Sequence, residues 1–383
     1  MLKYDIDLFL PKKTKIAILD NPGSDLIKKT LNQNNLPVIS IRKSSKINLL
    51  IILLSFFQNY KYTKGQRYII AYIKYLKPKV IISHIDNNIF FFSLKKIFCD
   101  VKFEFIQNGI GVAHWSKLER KKLSFYADVF FSYSKPFSKI YSKFLKSKIY
   151  SIGSFKNNFL NIKKNKKKKI IVFISQFRVG GNKKNKDVAY SFSGRNFSLE
   201  KLHRAESLIL PILYKFCKER KYKLVVAGSN FDYRSMLREK KFFKEILEKS
   251  INNIDNKFYE FKKLNDVFSS YNLIDNSALT VFIDSALGYQ SLARGNKTLA
   301  CSFRSKYVEN KNLSFGWPNN FSNEGPFWIN NYKPEKIKII LSNLLKMNDR
   351  TWQNTYKKYK KDLLPYGFKN KTFKECIKQL LKN

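Results

Sequence analysis

Residues 278–301 read ALTVFIDSALGYQSLARGNKTLAC. Ala278 to Ile283 is a run of small and β-branched apolar residues, the pattern of a strand buried on both faces. Asp284 and Ser285 follow, and either can cap a helix. Gly288 falls in the first turn of that helix, where a missing side chain lets a ligand approach the backbone. Gly295 then stops the helix, and Lys297 to Cys301 begins another strand. Strand, turn, helix, strand is the unit of a parallel sheet. Free N–H groups at a helix N-terminus, directly after such a strand, make an anion site. The plainer reading is a βα unit whose glycine only permits close packing.

The same alternation extends outward in both directions. Upstream in the second half, strands are expected at Ile170–Ser175, Leu224–Ala227 and Tyr259–Phe261. The helices between them are read at Leu199–Arg220, with a kink at Pro211, at 234–248 and at 266–274. The first half repeats the theme. Its strands are expected at 15–20, 38–41, 80–85, 101–106, 128–134 and 149–153, with helices at 25–31, 66–76 and 87–98 between them. The Lys-Asn run at 161–168 is polar, charged and aperiodic, and reads as a linker. The division expected is 1–160, a linker at 161–168, 169–333, and C-terminal helices at 334–383 that cross back toward the first domain. The fold class is α/β, with two Rossmann-like parallel-sheet domains facing a cleft.

Composition bounds the function. The 383 residues carry 74 Lys and Arg against 28 Asp and Glu, a net charge of +46, with 44% hydrophobic residues. The chain is therefore globular, and its field attracts polyanions. Its basic residues are spread along the whole length, without a zinc spacing or an aromatic RNA-binding motif, so no specific nucleic-acid partner is expected. Cys99, Cys217, Cys301 and Cys376 form no CxxC pair and fall mostly in apolar segments, as buried thiols do in a reducing cytoplasm. His84, His114 and His203 show no metal-ligand spacing, so no metal is expected. No signal peptide is apparent. Ile47 to Phe57, INLLIILLSFF, is about half the length of a membrane span. It reads as a buried helix, with an interfacial helix as the alternative.

Open α/β sheets bind ligands at the carboxyl ends of their strands. In the second half those ends carry Ser175, Gln176 and Arg178, then Gly228 and Ser229, then Asp284, Ser285, Gly288, Tyr289 and Gln290. Hydroxyls, glycines and an arginine suit a phosphate ester. Arg178, beside Gly180-Gly181, is the candidate for charge on a leaving phosphate. In the first half the ends carry His84 and Asp86, then Gln107, Asn108 and Gly109, with His114 beyond. Asp86 is the first candidate for a general base and His114 the second. The structural alternatives are an N-cap for Asp86, a core position for His84, a tight turn for 107–109, and helix packing for Tyr289 and Gln290.

The stretch DSALGYQSLARG at 284–295 resembles the S-T-x-G-x-E-A element in the nucleotide-sugar half of GT-B-like enzymes. HIDNNIFFFSL at 84–94, FIQNGIG at 105–111, FGWPNN at 315–320 and EGPFWINN at 324–331 are similar to segments of bacterial surface-carbohydrate (lipopolysaccharide and capsule) transferases. The resemblance implies a glycosyltransferase with a nucleotide-sugar donor as co-substrate and no other cofactor. It implies a lipid-linked or oligosaccharide acceptor and a cytoplasmic protein in peripheral contact with an anionic membrane. Gln290 departs from the Glu of the element, and an amide there cannot act as an anion. Glu324 to Trp328 forms a polar and aromatic loop, suited either to holding a sugar ring or to pinning a C-terminal helix. A polyol-phosphate transferase of the same fold, an inactive scaffold and a basic nucleic-acid-binding protein are the other readings.

Overall fold

The structure, a computed structural model, describes residues 6–42, 46–110, 125–162, 167–178, 190–192, 195–266 and 268–382. The chain divides into two compact units, residues 1–161 with 365–383, and residues 162–364.

The first unit is built on six parallel strands: β1 (Ile16–Leu19), β2 (Val38–Ile39), β3 (Val80–Ser83), β4 (Lys102–Ile106), β5 (Phe125–Ser132) and β6 (Leu145–Ser151). They lie in the order β2-β1-β3-β4-β5-β6. The chain moves outward from β1 to β2, then returns to the other side of β1 to lay down β3. That reversal leaves a crevice at the carboxyl ends of β1 and β3. β1 and β3 are buried at every position, as expected of strands covered on both faces. The core joins Ile16, Ile18, Val80, Ile82, Val129 and Phe131 to Phe155 and to Phe373 and Ile377 of the C-terminal helix Lys371–Lys382. Each such side chain contributes about 1.5–3 kcal/mol on burial, so this helix is anchored in the first unit although it is last in sequence.

The second unit holds β7 (Lys168–Ile174), β8 (Lys223–Ala227), β9 (Tyr259–Lys262), β10 (Ser277–Phe282), β11 (Thr298–Cys301), β12 (Glu324–Gly325) and β13 (Trp328–Ile329). Their order is β9-β8-β7-β10-β11-β13-β12. All pairings are parallel except β12 with β13. Here the reversal lies between β7 and β10, so the carboxyl ends of those two strands border the crevice.

Three sequence expectations need correction. The apolar run at 47–57 forms a helix, Leu49–Phe56, but only Ile51 of that helix is buried. The expected single helix from Leu199 to Arg220 is two, Leu199–Leu202 and Arg204–Glu219, because His203 leaves helical geometry at φ −103° and ψ 17°. Pro211 sits inside the second helix. Cys99 is exposed, whereas Cys217, Cys301 and Cys376 are buried free thiols. One boundary also moves. The helix read from Gln66 begins at Lys64, because Thr63 and Gln66 form a reciprocal capping box.

Candidate functional site

At the edge of the first sheet, β3 runs straight into His84 and Asp86. Asp86 is buried, and its Oδ2 accepts a hydrogen bond from the Tyr141 hydroxyl. Burial pushes its carboxyl up to about 6, against the opposing effect of Tyr141 and of the backbone N–H groups of Asp86 and Asn108. Asp86 does not cap the following helix. That helix, Ile89–Ile97, is capped by Asn88, whose Oδ1 accepts from the Phe90 N–H at 3.0 Å. Asp86 is thus a desolvated acid held by neutral donors, with a pKa close to neutrality. Such a group can hold or take a proton near pH 7.

His84 is buried against the turn after β1. A Cβ at Gly23, where φ is +78°, would lie 2.7 Å from the His84 Cβ. Its ring centroid is 5.9 Å from that of Phe155. Burial, with Lys156 nearby, lowers its pKa to about 4, so it is neutral in ordinary conditions. Gln107 is turned inward: its Oε1 accepts from the Tyr133 N–H at 2.8 Å and its Nε2 donates to the Gly109 carbonyl at 2.9 Å. The Asn108 carbonyl accepts from the Tyr133 hydroxyl at 2.9 Å. These bonds make 107–109 a brace between β4 and β5. Among the described residues, no atom lies within 4 Å of where a Gly109 Cβ would go. His114 lies outside the described residues, as do Gly180 and Gly181.

At the edge of the second sheet, the organising residue is Arg304, on the short helix Arg304–Tyr307 after β11. Its guanidinium is buried and donates to Asp284 Oδ1 at 2.5 Å, to Gln176 Oε1 at 3.2 Å, to the Leu202 carbonyl at 3.0 Å and to Glu206 Oε1. His203 Nδ1 lies 3.0 Å from the same Glu206 oxygen. Burial works against ionisation of Glu206, but Arg304 and His203 outweigh it and hold the carboxyl below its usual range. Burial pushes Asp284 up, and Arg304 only partly offsets this, aided by Arg178. Arg178 is exposed at this edge. Gln176, Asp284 and Arg178 are therefore brought together, whereas the helix cap falls to Ser285, whose Oγ accepts from the Leu287 N–H at 3.2 Å.

The remaining residues of the second edge take structural bonds. Ser175 and Ser229 both donate to buried Glu239, whose carboxylate also accepts from the N–H groups of Ser229 at 2.8 Å and Asn230 at 3.1 Å. Gly228 donates its N–H to the Lys262 carbonyl at 3.1 Å, and a Cβ there would lie 2.9 Å from the Phe261 ring. A Cβ at Gly288 would overlap the Phe282 ring. That glycine lets the helix Ala286–Ala293 close onto β10, as the close-packing reading of this βα unit expects. Tyr289 is buried, stacked on Phe315 at 5.5 Å, with its hydroxyl accepting from the Gly316 N–H at 3.0 Å. Gln290 is buried too, and its Oε1 accepts from the Tyr271 hydroxyl at 2.7 Å. Both side chains take the helix-packing positions that the sequence also allowed.

Trp328 is buried among Phe315, Phe321, Phe327 and Tyr359, and Phe327 packs against Trp352 of the helix Asp349–Lys357. The loop at 324–328 thus pins a C-terminal helix. The residues that sequence reading missed are Arg304, Glu206, Glu239 and Tyr141. Arg304 follows a strand end and was open to the same rule that found Asp284. Glu239 and Tyr141 lie within helices, where nothing in the local sequence marks them. Among the described residues, no group of three or more His, Cys, Asp or Glu is placed to hold a metal ion.

Residues 104–381 match the model of a family described as "putative O-antigen biosynthesis protein". The chain belongs to this family. No curated protein sequence matches it. Among solved structures, it is similar to a UDP-GlcNAc 2-epimerase from Neisseria meningitidis bound to UDP-GlcNAc, at 11% identity and a TM-score of 0.52, covering 96% of this chain and 99% of that one. It is similar to the UDP-bound S. aureus MnaA at 14% identity and 0.51, covering 99% and 97%. It is also similar to the wall teichoic acid polymerase TagF at 11% and 0.51, covering 96% and 89%. These likenesses establish a GT-B-like fold of two Rossmann-like units. The family is one of surface-polysaccharide synthesis.

Proposed function

We propose that this O-antigen family member is a glycosyltransferase, moving a sugar from a nucleotide-activated donor to a lipid-linked or oligosaccharide acceptor. The observation that carries the reading is Asp86, buried at a sheet edge with its pKa raised to about 6 and its orientation held by Tyr141. In an inverting transfer, the acceptor oxygen bonds to the sugar carbon as the bond to the donor phosphate breaks. The acceptor proton passes to Asp86 as general base, and the electron pair leaves with the nucleotide. Tyr141 holds the carboxylate and does not itself exchange a proton, because burial and Asp86 keep its hydroxyl protonated. On the donor side, exposed Arg178 beside Asp284 and the Ser285 turn are the candidates for contact with phosphate.

A second reading, sugar epimerisation, is favoured by the likeness to UDP-GlcNAc 2-epimerases over nearly the full length of both chains. The test begins with a thermal-shift screen against UDP, CDP, GDP and TDP and their sugars, which identifies the donor base. The donor found is then incubated with and without a membrane-extracted acceptor. Transfer predicts donor consumption that requires acceptor and is lost in Asp86→Asn. Formation of the sugar's 2-epimer without acceptor would establish the second reading instead. Consumption of a CDP-linked polyol would identify a polyol-phosphate transferase. Oligonucleotide binding at physiological salt, with no shift from any nucleotide, would overturn all three.

A further inference from the structure

The helix Leu49–Phe56 is apolar except for Ser55, whose hydroxyl bonds back to the Ile52 carbonyl, yet it lies largely on the surface of the first unit. Asn48 caps it through a bond from the Ile51 N–H at 3.0 Å, and Ile51 is its one buried residue. Leu53 is 53% exposed and Phe57, just beyond the helix, is 85% exposed; Leu54 and Phe56 are exposed as well. The patch continues onto the N-terminal segment. Ile6 and Asp7 pair in parallel with Ile47 and Asn48, and Asn48 Nδ2 donates to the Phe9 carbonyl at 2.6 Å. That bond brings Phe9, 82% exposed, and exposed Leu8 next to the start of the helix. Large apolar patches of this kind mark interaction surfaces.

The surrounding charge identifies the partner. From Leu26 to Ile85 the sequence contains eleven Lys and Arg residues and no Asp or Glu. Exposed Lys46 precedes the helix, and exposed Lys61 and Lys64 follow it. Arg67 lies over the Tyr60 ring at 4.9 Å, so an aromatic face holds it. Asp7 is the one acidic side chain described on the patch itself, and it accepts from the Phe9 N–H at 3.1 Å. A second copy of the chain seated on this patch would bring like-charged rims together, which opposes association. An anionic bilayer satisfies both features, since the apolar side chains enter the headgroup boundary while the lysines meet lipid phosphates. No helix among the described residues is long and apolar enough to cross a membrane.

We propose that Leu8–Phe9 and the helix Leu49–Phe56 with Phe57 form the docking surface by which this protein lies on an anionic lipid bilayer. This deepens the acceptor side of the glycosyltransferase reading by naming the face that meets a lipid-linked substrate. Its test needs no sugar chemistry, so the two can fail separately. The full chain is sedimented with vesicles of phosphatidylcholine, with and without phosphatidylglycerol. Binding is expected only to the anionic vesicles. The variant L53S/L54S/F57S, altered at exposed positions, is expected to bind them about tenfold or more weakly, with an unchanged melting temperature. A second variant, K46Q/K61Q/K64Q, is expected to weaken binding and flatten its salt dependence.

Three results would overturn the proposal. The first is equal binding of wild type and L53S/L54S/F57S, which would assign attachment to the general basic surface. The second is equal binding to neutral and anionic vesicles. The third is a wild-type dimer in sedimentation velocity that dissociates in L53S/L54S/F57S while vesicle binding is unchanged, which would make the patch a contact between copies.

Discussion

At the edge of the first sheet, Asp86 faces a phenol and backbone N–H groups. At the edge of the second, Asp284 faces a guanidinium. Both carboxyls are buried, and burial raises the pKa of both. The partner separates their uses. A neutral donor leaves the charge of Asp86 to be set by pH, so it stays available for proton transfer. Arg304 ties Asp284 to Glu206 and Gln176 in an ion cluster that joins the ends of β7 and β10 to the helices at 204–219 and 304–307. A buried cation shared by two acids is an expensive thing to disturb. The first edge holds a carboxyl whose charge follows pH, and the second holds a fixed ion frame with exposed Arg178 on its rim.

The comparison is broken most severely at Arg304. Arg304→Met leaves Glu206 and Asp284 buried without their cation and is expected to cost about 3–5 kcal/mol, read as a lowered urea midpoint. Adding Glu206→Gln should recover part of that loss, as expected of coupled charges. If Arg304→Met were neutral, the frame would not depend on the cluster.

Asp86→Asn is the matching test at the other edge. The amide still accepts from Tyr141 but cannot take a proton, so transfer is expected to fall about 100-fold or more with stability at pH 7 preserved or raised. The signs follow from the raised pKa. The folded chain binds this proton more tightly than the unfolded chain, whose carboxyl titrates at 3.8. The stability lent by the proton is complete below about pH 4 and is lost as pH rises through about 6. In the proposed transfer the rate runs the other way, because a general base must be ionised. The rate should rise with pH through about 6 and then level off. A rate independent of pH from 5 to 8 would remove Asp86 from the mechanism.

Gly288→Ala sharpens the second edge. Its Cβ would meet the Phe282 ring, and overpacking of this kind is expected to cost about 1–3 kcal/mol. Phe282→Leu in the same chain should relieve part of it. A thermal shift by donor nucleotide that persists in the double variant would confirm that this glycine packs and does not bind.

The effect smallest per pH unit concerns Glu104, a buried acid in β4 whose Oε2 has no partner among the described residues and whose Oε1 lies 4.0 Å from Cys376 Sγ. Burial, with Asp128 nearby, raises its carboxyl to about 8. The folded state therefore keeps a proton that the unfolded chain loses near 4.5. Stability should fall as pH rises from about 4.5 to about 8, on the order of 1 kcal/mol per pH unit at most. Glu104→Gln should flatten that slope in urea midpoints measured across the window. An unchanged slope would mean that another group controls it.

Much of the fold was legible because it rests on local pattern. β3, β8, β10 and β11 are short apolar runs bounded by polar or glycine residues, and a strand buried on both faces must look that way. The stretch at 278–301 is strand, capped helix, glycine stop and strand in the structure, with Gly295 at φ +82°. The candidate sites were only partly legible. Asp86 and Asp284 were legible as carboxyls just beyond strand ends, because strand ends are fixed by the same pattern. The sequence expectation of a buried helix at 47–57 failed because apolarity along a helix says nothing about what covers it.

Chain chemistry alone determined where strands end, which residues cap helices and how much positive charge the surface carries, since each depends on a few neighbouring residues. Partnership was decided only by tertiary structure. Tyr141 reaches Asp86 across 55 positions, and Arg304 reaches Glu206 across 98. Whether Gln290 meets a ligand or Tyr271, and whether Gly288 admits a phosphate or an aromatic ring, depends on which helix packs on which strand. Packing acts between surfaces that the chain brings together from distant parts of its length, and a local pattern contains no term for that distance.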